Sequence, residues 1–229
     1  MHGEAAAAAV APIATAARLK IAETFYSLQG EADAVGWPTF FIRLTGCPLR
    51  CQYCDTAYAF HGGEWRSLDV LVDEAKNSGA RHVCVTGGEP LAQKSCFRLL
   101  KDLCDAGLRV SLETSGAIDA SAVDPRVVRV IDVKTPGSGE STRNLDLGEQ
   151  RLRGTDLLKF VICDRADFEW SRDLVRSRGL EAQCPVLFSP SYSQVPAAQL
   201  ADWILAERLP VRFQVQLHKI LWGLNRHGV

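Results

Sequence analysis

The chain has 229 residues, of which 47% are hydrophobic and 23% are charged, and its formal net charge is −1. This length and apolar content are sufficient for the core of one large domain or two small ones. The near-neutral charge, without a block of lysine and arginine, argues against nucleic acid or an anionic membrane as a partner, and no apolar run reaches the roughly 18 residues of a membrane span.

The first 18 residues are predicted to be a disordered, alanine-rich leader. The segment has no basic residue ahead of its alanine run, and Pro12 interrupts its apolar part, so it does not resemble a secretory signal. We expect residues 19–229 to form a single domain. An extracellular disulfide framework usually belongs to a much shorter chain, so the eight cysteines indicate a cytoplasmic protein.

Short strands and longer helices alternate after the leader. The β-branched and aromatic segments 18–28 and 38–46 predict two strands, and a helix is predicted at 67–79 with Ser67 as its N-cap. Further strands are predicted at 81–88, 108–116, 126–137, 156–164, 184–191 and 211–221, and further helices at 91–107, 165–179 and 197–209. This alternation is typical of βα units in a mainly parallel sheet. Six or seven units are too few for an eight-fold barrel of ~250 residues, so we predict an α/β fold with an open, partial barrel.

Three cysteines follow the second predicted strand with the spacing C-x3-C-x2-C, at Cys47, Cys51 and Cys54. A structural zinc site requires four ligands, and His61 is the nearby fourth candidate. A redox pair of Cys51 and Cys54 leaves Cys47 without a role. Thiolates also hold iron–sulfur clusters, four of them in a closed [4Fe–4S] centre. With three, one iron keeps an open position, which we expect a substrate or cofactor to occupy.

This cysteine spacing, placed in a partial βα barrel, resembles the signature of the radical S-adenosylmethionine enzymes. A second motif of those enzymes, TGGEP at 86–90, ends the next predicted strand. The resemblance implies a [4Fe–4S] cluster whose open iron binds S-adenosylmethionine and, on reduction, splits it to a 5′-deoxyadenosyl radical. Gly87 and Gly88 allow the backbone to approach a ligand closely, and Glu89 places a carboxylate where an ammonium group could bind.

Six segments narrow the resemblance: FYSLQGE, FIRLTGCPLRCQYCDT, VTGGEP, ETSG, KTPGSG and QLHK. Together they resemble the 7-carboxy-7-deazaguanine synthase family of queuosine biosynthesis over roughly residues 20–222. The resemblance implies ring contraction of 6-carboxy-5,6,7,8-tetrahydropterin to 7-carboxy-7-deazaguanine, with loss of ammonia. It also implies Mg²⁺ as a cofactor, a flavodoxin-type electron donor and a homodimer.

Two polar positions support this chemistry directly. Arg43 shares a strand face with Phe41 and Thr45, and a cation between apolar neighbours needs a partner. Its guanidinium suits the carboxylate of the substrate, and a structural acid or solvent is the alternative. Gln29 and Glu31 end the first strand, where an amide and a carboxylate could read the edge of an aminopyrimidinone; an ordinary turn is the alternative.

The resemblance also implies roles for residues at the strand ends, each of which taken singly could be a solvated loop residue. The residues expected to contact the substrate are Leu28, Gln29, Gly30, Glu31, Arg43, Thr86 and His218. Those expected to contact S-adenosylmethionine are Tyr53, Gly88, Glu89, Ser115, Asp132, Val133, Lys134, Phe188, Ser189, Pro190 and Ser191. Thr56 offers a hard oxygen to Mg²⁺. His218 belongs to the polar face of the last predicted strand, which either lines the cavity or is a solvated edge.

Two other functions share part of this pattern. A glycyl-radical-enzyme activase has the same cysteine spacing and a partial barrel, but it needs an open groove for a protein backbone. Such activases often carry a further cysteine-rich insert, which this sequence lacks. An electron carrier or a zinc-stabilised binding module requires a fourth ligand near the first three and leaves TGGEP unexplained.

Overall fold

The computed structural model describes residues 17–223 and residue 228, and these form a nine-stranded sheet with five α-helices. The strands are β1 (Arg18–Leu28), β2 (Pro38–Leu44), β3 (Glu64–Ser67), β4 (His82–Gly87), β5 (Arg109–Thr114), β6 (Val128–Asp132), β7 (Leu157–Ile162), β8 (Val186–Pro190) and β9 (Arg212–Phe213). The helices are α1 (Leu68–Asn77), α2 (Ser95–Asp105), α3 (Arg165–Arg178), α4 (Ala197–Ala206) and α5 (Leu217–Trp222).

The sheet is mostly parallel and open. Its strand order is β3-β1-β2-β4-β5-β6-β7-β8-β9. β1 pairs antiparallel with both β2 and β3, whereas all neighbours from β2 to β9 are parallel. Within the described residues the edge strands β3 and β9 do not pair with each other, so the sheet does not close. The predicted partial barrel is therefore confirmed.

Side chains that alternate in direction along each strand separate the apolar core from the cavity. On β2, Ile42 and Leu44 belong to the apolar core that packs against α1 and α2, while Phe41 and Arg43 face a cavity. On β7, Phe160 likewise packs in the core with residues of α3 and α4. Because successive side chains of a strand point to opposite faces, each strand contributes to the core on one face and to the cavity on the other.

The end of the chain differs from its prediction. Residues 211–221 were expected to be one strand, but the structure contains the two-residue β9 followed by α5. The Gln214 side chain accepts from the N–H of Ala32 at 2.8 Å and donates to its carbonyl oxygen at 3.0 Å, and Leu217 N–H donates to the Gly30 carbonyl oxygen at 3.0 Å. These bonds to the loop after β1 replace sheet pairing, which is why apolar–polar alternation misidentified the segment.

Smaller differences occur at the other edge and at the helix starts. β3 was not predicted; it pairs with the beginning of β1. Ser67 occupies the N-cap position of α1 as predicted, but its side chain makes no capping hydrogen bond. The predicted leader lies outside the described residues except for its last two, and Arg18 already begins β1. No helix in residues 17–223 is long and apolar enough to span a membrane.

Candidate active site

A cavity of about 360 Å³ lies at the carboxyl ends of the parallel strands. Ligands bind at this edge of parallel sheets because the loops that follow the strands meet there, and the volume is in the range of small-molecule sites. Its wall contains the three clustered cysteines together with Arg43 and Glu31. The structure thus brings residues predicted to bind the cluster and residues predicted to bind the substrate into one cavity.

The three cysteines are free thiols of intermediate burial that line the cavity. Burial raises the pKa of all three thiols, that of Cys51 to about 11, although Lys134 opposes the change. Within the described residues, no three His, Cys, Asp or Glu side chains converge as a single metal ion requires. His61 is exposed. Three thiols without a fourth ligand do not fit a zinc site, whereas they fit a cluster that offers a separate iron to each thiolate.

The two glycines of TGGEP let the end of β4 lie directly against the cysteine loop. A Cβ atom on Gly88 would be 2.2 Å from the Gly46 carbonyl oxygen and 2.9 Å from Cys47 Cβ, and one on Gly87 would be 2.3 Å from the Leu44 carbonyl oxygen. No side chain fits at such distances, so this contact requires glycine. Gly88 also lines the cavity.

The Glu89 side chain is not among those that line the cavity, and its expected contact with an ammonium group stays a prediction. Glu89 is fully buried, and it accepts hydrogen bonds from Leu91 N–H at 2.9 Å, Ser115 N–H at 2.6 Å and Thr114 Oγ1 at 2.9 Å. Its carboxylate therefore joins the end of β4 to the end of β5 and holds Ser115 in the cavity wall.

Six of the predicted cofactor contacts line the cavity: Tyr53, Gly88, Ser115, Asp132, Lys134 and Ser191. Lys134 Nζ is 2.7 Å from Asp132 Oδ2. The Tyr53 hydroxyl and Asp132 Oδ1 are buried and have no hydrogen-bond partner among the described residues, and burial raises the pKa of Tyr53. Buried polar atoms without partners are costly, so this wall suits a ligand that carries several polar groups.

Four other predicted cofactor contacts are not among the residues that line the cavity: Val133, Phe188, Ser189 and Pro190. Phe188 packs in the core, with its ring centroid 5.4 Å from that of Phe160 and 6.0 Å from that of Phe168. Val133 belongs to the same apolar cluster, and Ser189 and Pro190 are buried within β8. These segments lie at strand ends as the motifs predict, and their contacts with S-adenosylmethionine stay predictions.

All seven predicted substrate contacts line the cavity. Arg43 also has a structural partner, because its Nε donates to Glu23 Oε1 at 2.8 Å and the Tyr58 hydroxyl donates to the same oxygen at 2.6 Å. The alternative of a structural acid is therefore met, and binding of the substrate carboxylate by Arg43 stays a prediction. Below it, Phe25 and Phe41 stack with ring centroids 4.7 Å apart, and both line the cavity.

Glu31 is held by two donors that the sequence did not identify. Lys159 Nζ is 2.7 Å from Glu31 Oε2, and Gln216 Nε2 donates to Oε1 at 2.7 Å. Burial alone would raise the pKa of Glu31, but Lys159 and Gln216 hold it below its usual value. Glu113 of β5 lines the same cavity, and burial raises its pKa. The sequence does carry a sign of these two groups, because Lys159 is the charged residue within the apolar segment LLKFVI and Glu113 is the charged residue within VSLET.

Thr56 and His218 both belong to the surroundings of Asp55, Thr56 by a hydrogen bond and His218 by an electrostatic effect. Thr56 Oγ1 donates to Asp55 Oδ1 at 2.9 Å, and Lys219 Nζ is 2.6 Å from Asp55 Oδ2. His218 belongs to α5 and packs on Gly30, where a Cβ atom would be 2.2 Å from His218 Nδ1. Thr56 reaches the cavity, but its role as a Mg²⁺ ligand stays a prediction.

Comparison with known proteins identifies relatives over nearly the whole chain. The Radical SAM superfamily model matches residues 41–132. The 7-carboxy-7-deazaguanine synthase of Chlorobaculum tepidum is 41% identical over 224 residues, which cover 95% of this chain and 100% of that protein. The synthase of Koribacter versatilis is 39% identical, covering 92% and 100%. The crystal structure of QueE from Escherichia coli matches with a TM-score of 0.72 and 24% identity over 88% of this chain and 95% of that one, which supports the fold.

Proposed function

The chain belongs to the 7-carboxy-7-deazaguanine synthase family within the radical SAM superfamily, and we propose that it converts 6-carboxy-5,6,7,8-tetrahydropterin into 7-carboxy-7-deazaguanine with loss of ammonia. As a radical SAM enzyme it uses a [4Fe–4S] cluster and S-adenosylmethionine. One observation carries the proposal: three free thiols, a guanidinium and a carboxylate line the same cavity at the strand ends.

The cysteine side of the cavity is proposed to hold the cofactors. Cys47, Cys51 and Cys54 would bind three irons of the cluster, and bound S-adenosylmethionine would supply the radical that removes hydrogen from the substrate. Gly88 lets the end of β4 lie directly against the cysteine loop and lines the cavity beside it. The other side chains proposed to surround S-adenosylmethionine are Tyr53, Ser115, Asp132, Lys134 and Ser191. Asp132 Oδ1 and the Tyr53 hydroxyl are suited to hydrogen-bond its polar groups, since both are otherwise unsatisfied.

A second set of cavity residues, Arg43, Glu31, Phe25 and Phe41, is proposed to orient the pterin. Arg43 is fixed through Nε by Glu23, which leaves its terminal N–H groups to bind the substrate carboxylate in a bidentate manner. Glu31 is suited to accept hydrogen bonds from the N–H groups of the aminopyrimidinone ring. The stacked pair of Phe25 and Phe41 offers an apolar surface to the flat ring system.

The remaining expectations stay proposals that rest on the family. Thr56 offers a hydroxyl oxygen to Mg²⁺, which takes few protein ligands and keeps several waters. The adjacent Asp55 is engaged by Lys219, so it leaves this role to Thr56 and the substrate. We further propose a flavodoxin-type electron donor, a homodimer and a cytoplasmic location.

A glycyl-radical-enzyme activase is not favoured. Its substrate is a protein backbone, which needs an extended groove. Here Arg43 and Glu31 are directed into a cavity of about 360 Å³, a size that suits a small molecule.

The test is anaerobic incubation of the reconstituted protein with 6-carboxy-5,6,7,8-tetrahydropterin, S-adenosylmethionine, Mg²⁺ and reductant, followed by mass detection of the deazapurine. We expect product only in the complete mixture, and about four iron per chain in the reconstituted protein. An omission series for S-adenosylmethionine and for Mg²⁺ serves as the control. Cleavage of S-adenosylmethionine without any deazapurine would reject the proposed substrate while retaining the radical enzyme.

A further inference from the structure

Lys159 has no role in the proposed reaction, yet its ammonium group lies among the acidic side chains of the cavity. Its Nζ atom is 2.7 Å from Glu31 Oε2 and 3.9 Å from Asp132 Oδ2. Its side chain is 9% exposed. The carboxylate of Glu113, from the next strand but one, also acts electrostatically on this ammonium. The Lys159 ammonium group therefore interacts electrostatically with acidic side chains from three separate segments of the chain.

The strand pattern explains why a lysine lies there. Leu158 and Phe160, its neighbours on β7, belong to the core, whereas Lys159 and Val161 line the cavity. Burying an ammonium group is costly unless it is paired. The acidic neighbours supply that pairing, and they raise the pKa of Lys159 well above its usual value although burial acts in the opposite direction.

The Lys159 contact leaves Glu31 with free acceptor capacity. An ionised carboxylate has about four acceptor positions. Glu31 Oε2 uses one for Lys159 and Oε1 uses one for Gln216, so each oxygen can accept another hydrogen bond from a ligand in the cavity. A protonated Glu31 would instead present a hydroxyl donor and would meet the N–H groups of an aminopyrimidinone unfavourably.

We propose that Lys159 is a positioning and specificity-determining residue, which holds the Glu31 carboxylate as a fixed, ionised acceptor for two adjacent N–H donors of the substrate ring. The inference rests on the proposed function, in which Glu31 contacts that ring. Lys159 itself acts through Glu31 and is not assigned a contact with the substrate.

Several polar and charged groups surround the ion pair of Glu31 and Lys159 and determine the pKa of Glu31 when Lys159 is replaced. They come from β5, β6, the segment before α5 and α5 itself, and they are Glu113, Asp132, Gln216 and His218. Two of them are carboxyl groups, and burial lowers the pKa of His218, which disfavours a charged imidazole. When a neutral residue replaces Lys159, burial and the neighbouring acids become the main influences on Glu31, and both raise its pKa. Substrate binding would then weaken as the pH falls through the raised pKa and recover as the pH increases.

The experiment compares Lys159→Met and Lys159→Arg with the wild type. Calorimetric titration of 6-carboxy-5,6,7,8-tetrahydropterin into the cluster-loaded, S-adenosylmethionine-bound protein is repeated anaerobically between about pH 6 and pH 9. Loss of a charge-assisted hydrogen bond is expected to raise Kd about tenfold to a hundredfold at the acidic end. We expect Kd to recover towards the wild-type value at the alkaline end, and we expect Lys159→Arg to resemble the wild type throughout.

Two controls separate this effect from a general loss of charge or fold. Lys76→Met removes a lysine whose side chain is 54% exposed and is expected to leave the profile unchanged. In a Glu31→Gln background, Lys159→Met is expected to add no pH dependence, because no carboxyl group remains to titrate at residue 31. If Lys159→Met does not fold, Lys159→Gln replaces it with the same expectations.

Each outcome decides the inference. Wild-type affinity at every pH in Lys159→Met overturns it, and so does weakened binding that fails to recover at alkaline pH. A pH dependence that persists in the Glu31→Gln background overturns it as well. Failure of the proposed function would be distinct, because Glu31→Ala would then leave substrate affinity unchanged.

Discussion

Arg43→Met tests the substrate side of the cavity most directly. Methionine keeps an apolar stem beside Phe25, whose ring centroid lies 5.7 Å from the Arg43 guanidinium carbon, but it removes the guanidinium. A bidentate pair with the substrate carboxylate comprises two charge-assisted hydrogen bonds of about 1.5–3 kcal/mol each. Because the side chain is 16% exposed, we take the lower end of this range. A loss of about 3 kcal/mol corresponds to an increase of about a hundredfold in Kd.

The assay measures Kd for two ligands by anaerobic calorimetry. Arg43→Met is expected to weaken binding of 6-carboxy-5,6,7,8-tetrahydropterin about a hundredfold. The Kd for S-adenosylmethionine and the Kd for a tetrahydropterin without the carboxylate are expected to stay unchanged. Glu23→Gln is the matched control, since it retains an acceptor for Arg43 Nε and should have a much smaller effect. Equal weakening of the carboxylated and carboxylate-free pterins in Arg43→Met would refute the assignment, because the lost interaction would not involve the carboxylate.

Three further predictions concern the cluster and the fold. Cys51→Ala is expected to abolish reductive cleavage of S-adenosylmethionine with an unchanged circular dichroism spectrum, and retained cleavage would reject its assignment as a ligand. Gly88→Ala places a Cβ atom 2.9 Å from Cys47 Cβ, so most of the bound iron should be lost in a metal analysis; full iron content would show that the cysteine loop can move. Arg129 and Asp156 form an ion pair whose side chains are both 0% exposed. Arg129→Met leaves the aspartate unpaired and should lower the free energy of unfolding by about 3–5 kcal/mol in urea titrations, whereas an unchanged midpoint would contradict this estimate.

The fold was predictable where local patterns carry the information. The apolar strand at β4 and the helix that begins after Ser67 are recognisable from spacing and capping residues within about ten positions. The final segment was not predictable in this way. Its alternation is that of a strand, but the hydrogen bonds of Gln214 and Leu217 to the loop after β1 replace strand pairing, and these partners are distant in sequence.

The cysteine part of the site was also predictable from residues that are close together in the sequence. Cys47, Cys51 and Cys54 reveal their chemistry through spacing alone, and TGGEP reveals a close approach because only glycine fits beside the Gly46 carbonyl. Glu89 shows the limit of such reasoning. Its position in the motif was correct, but whether its carboxylate faces the ligand or the neighbouring strand depends on donors supplied by Thr114 and Ser115.

The amino-acid sequence by itself determined the alternation of strands and helices, the three-thiol loop and the family, because each depends on residues that are close along the chain. Only the tertiary structure decided which charges meet inside the cavity. Lys159 and Glu31 are 128 positions apart, and Arg43 and Glu23 are 20 apart on antiparallel strands. Whether a buried charge is paired, and with which residue, depends on how the sheet brings distant strands together. The pattern of residues along one strand does not identify the partner that another strand supplies.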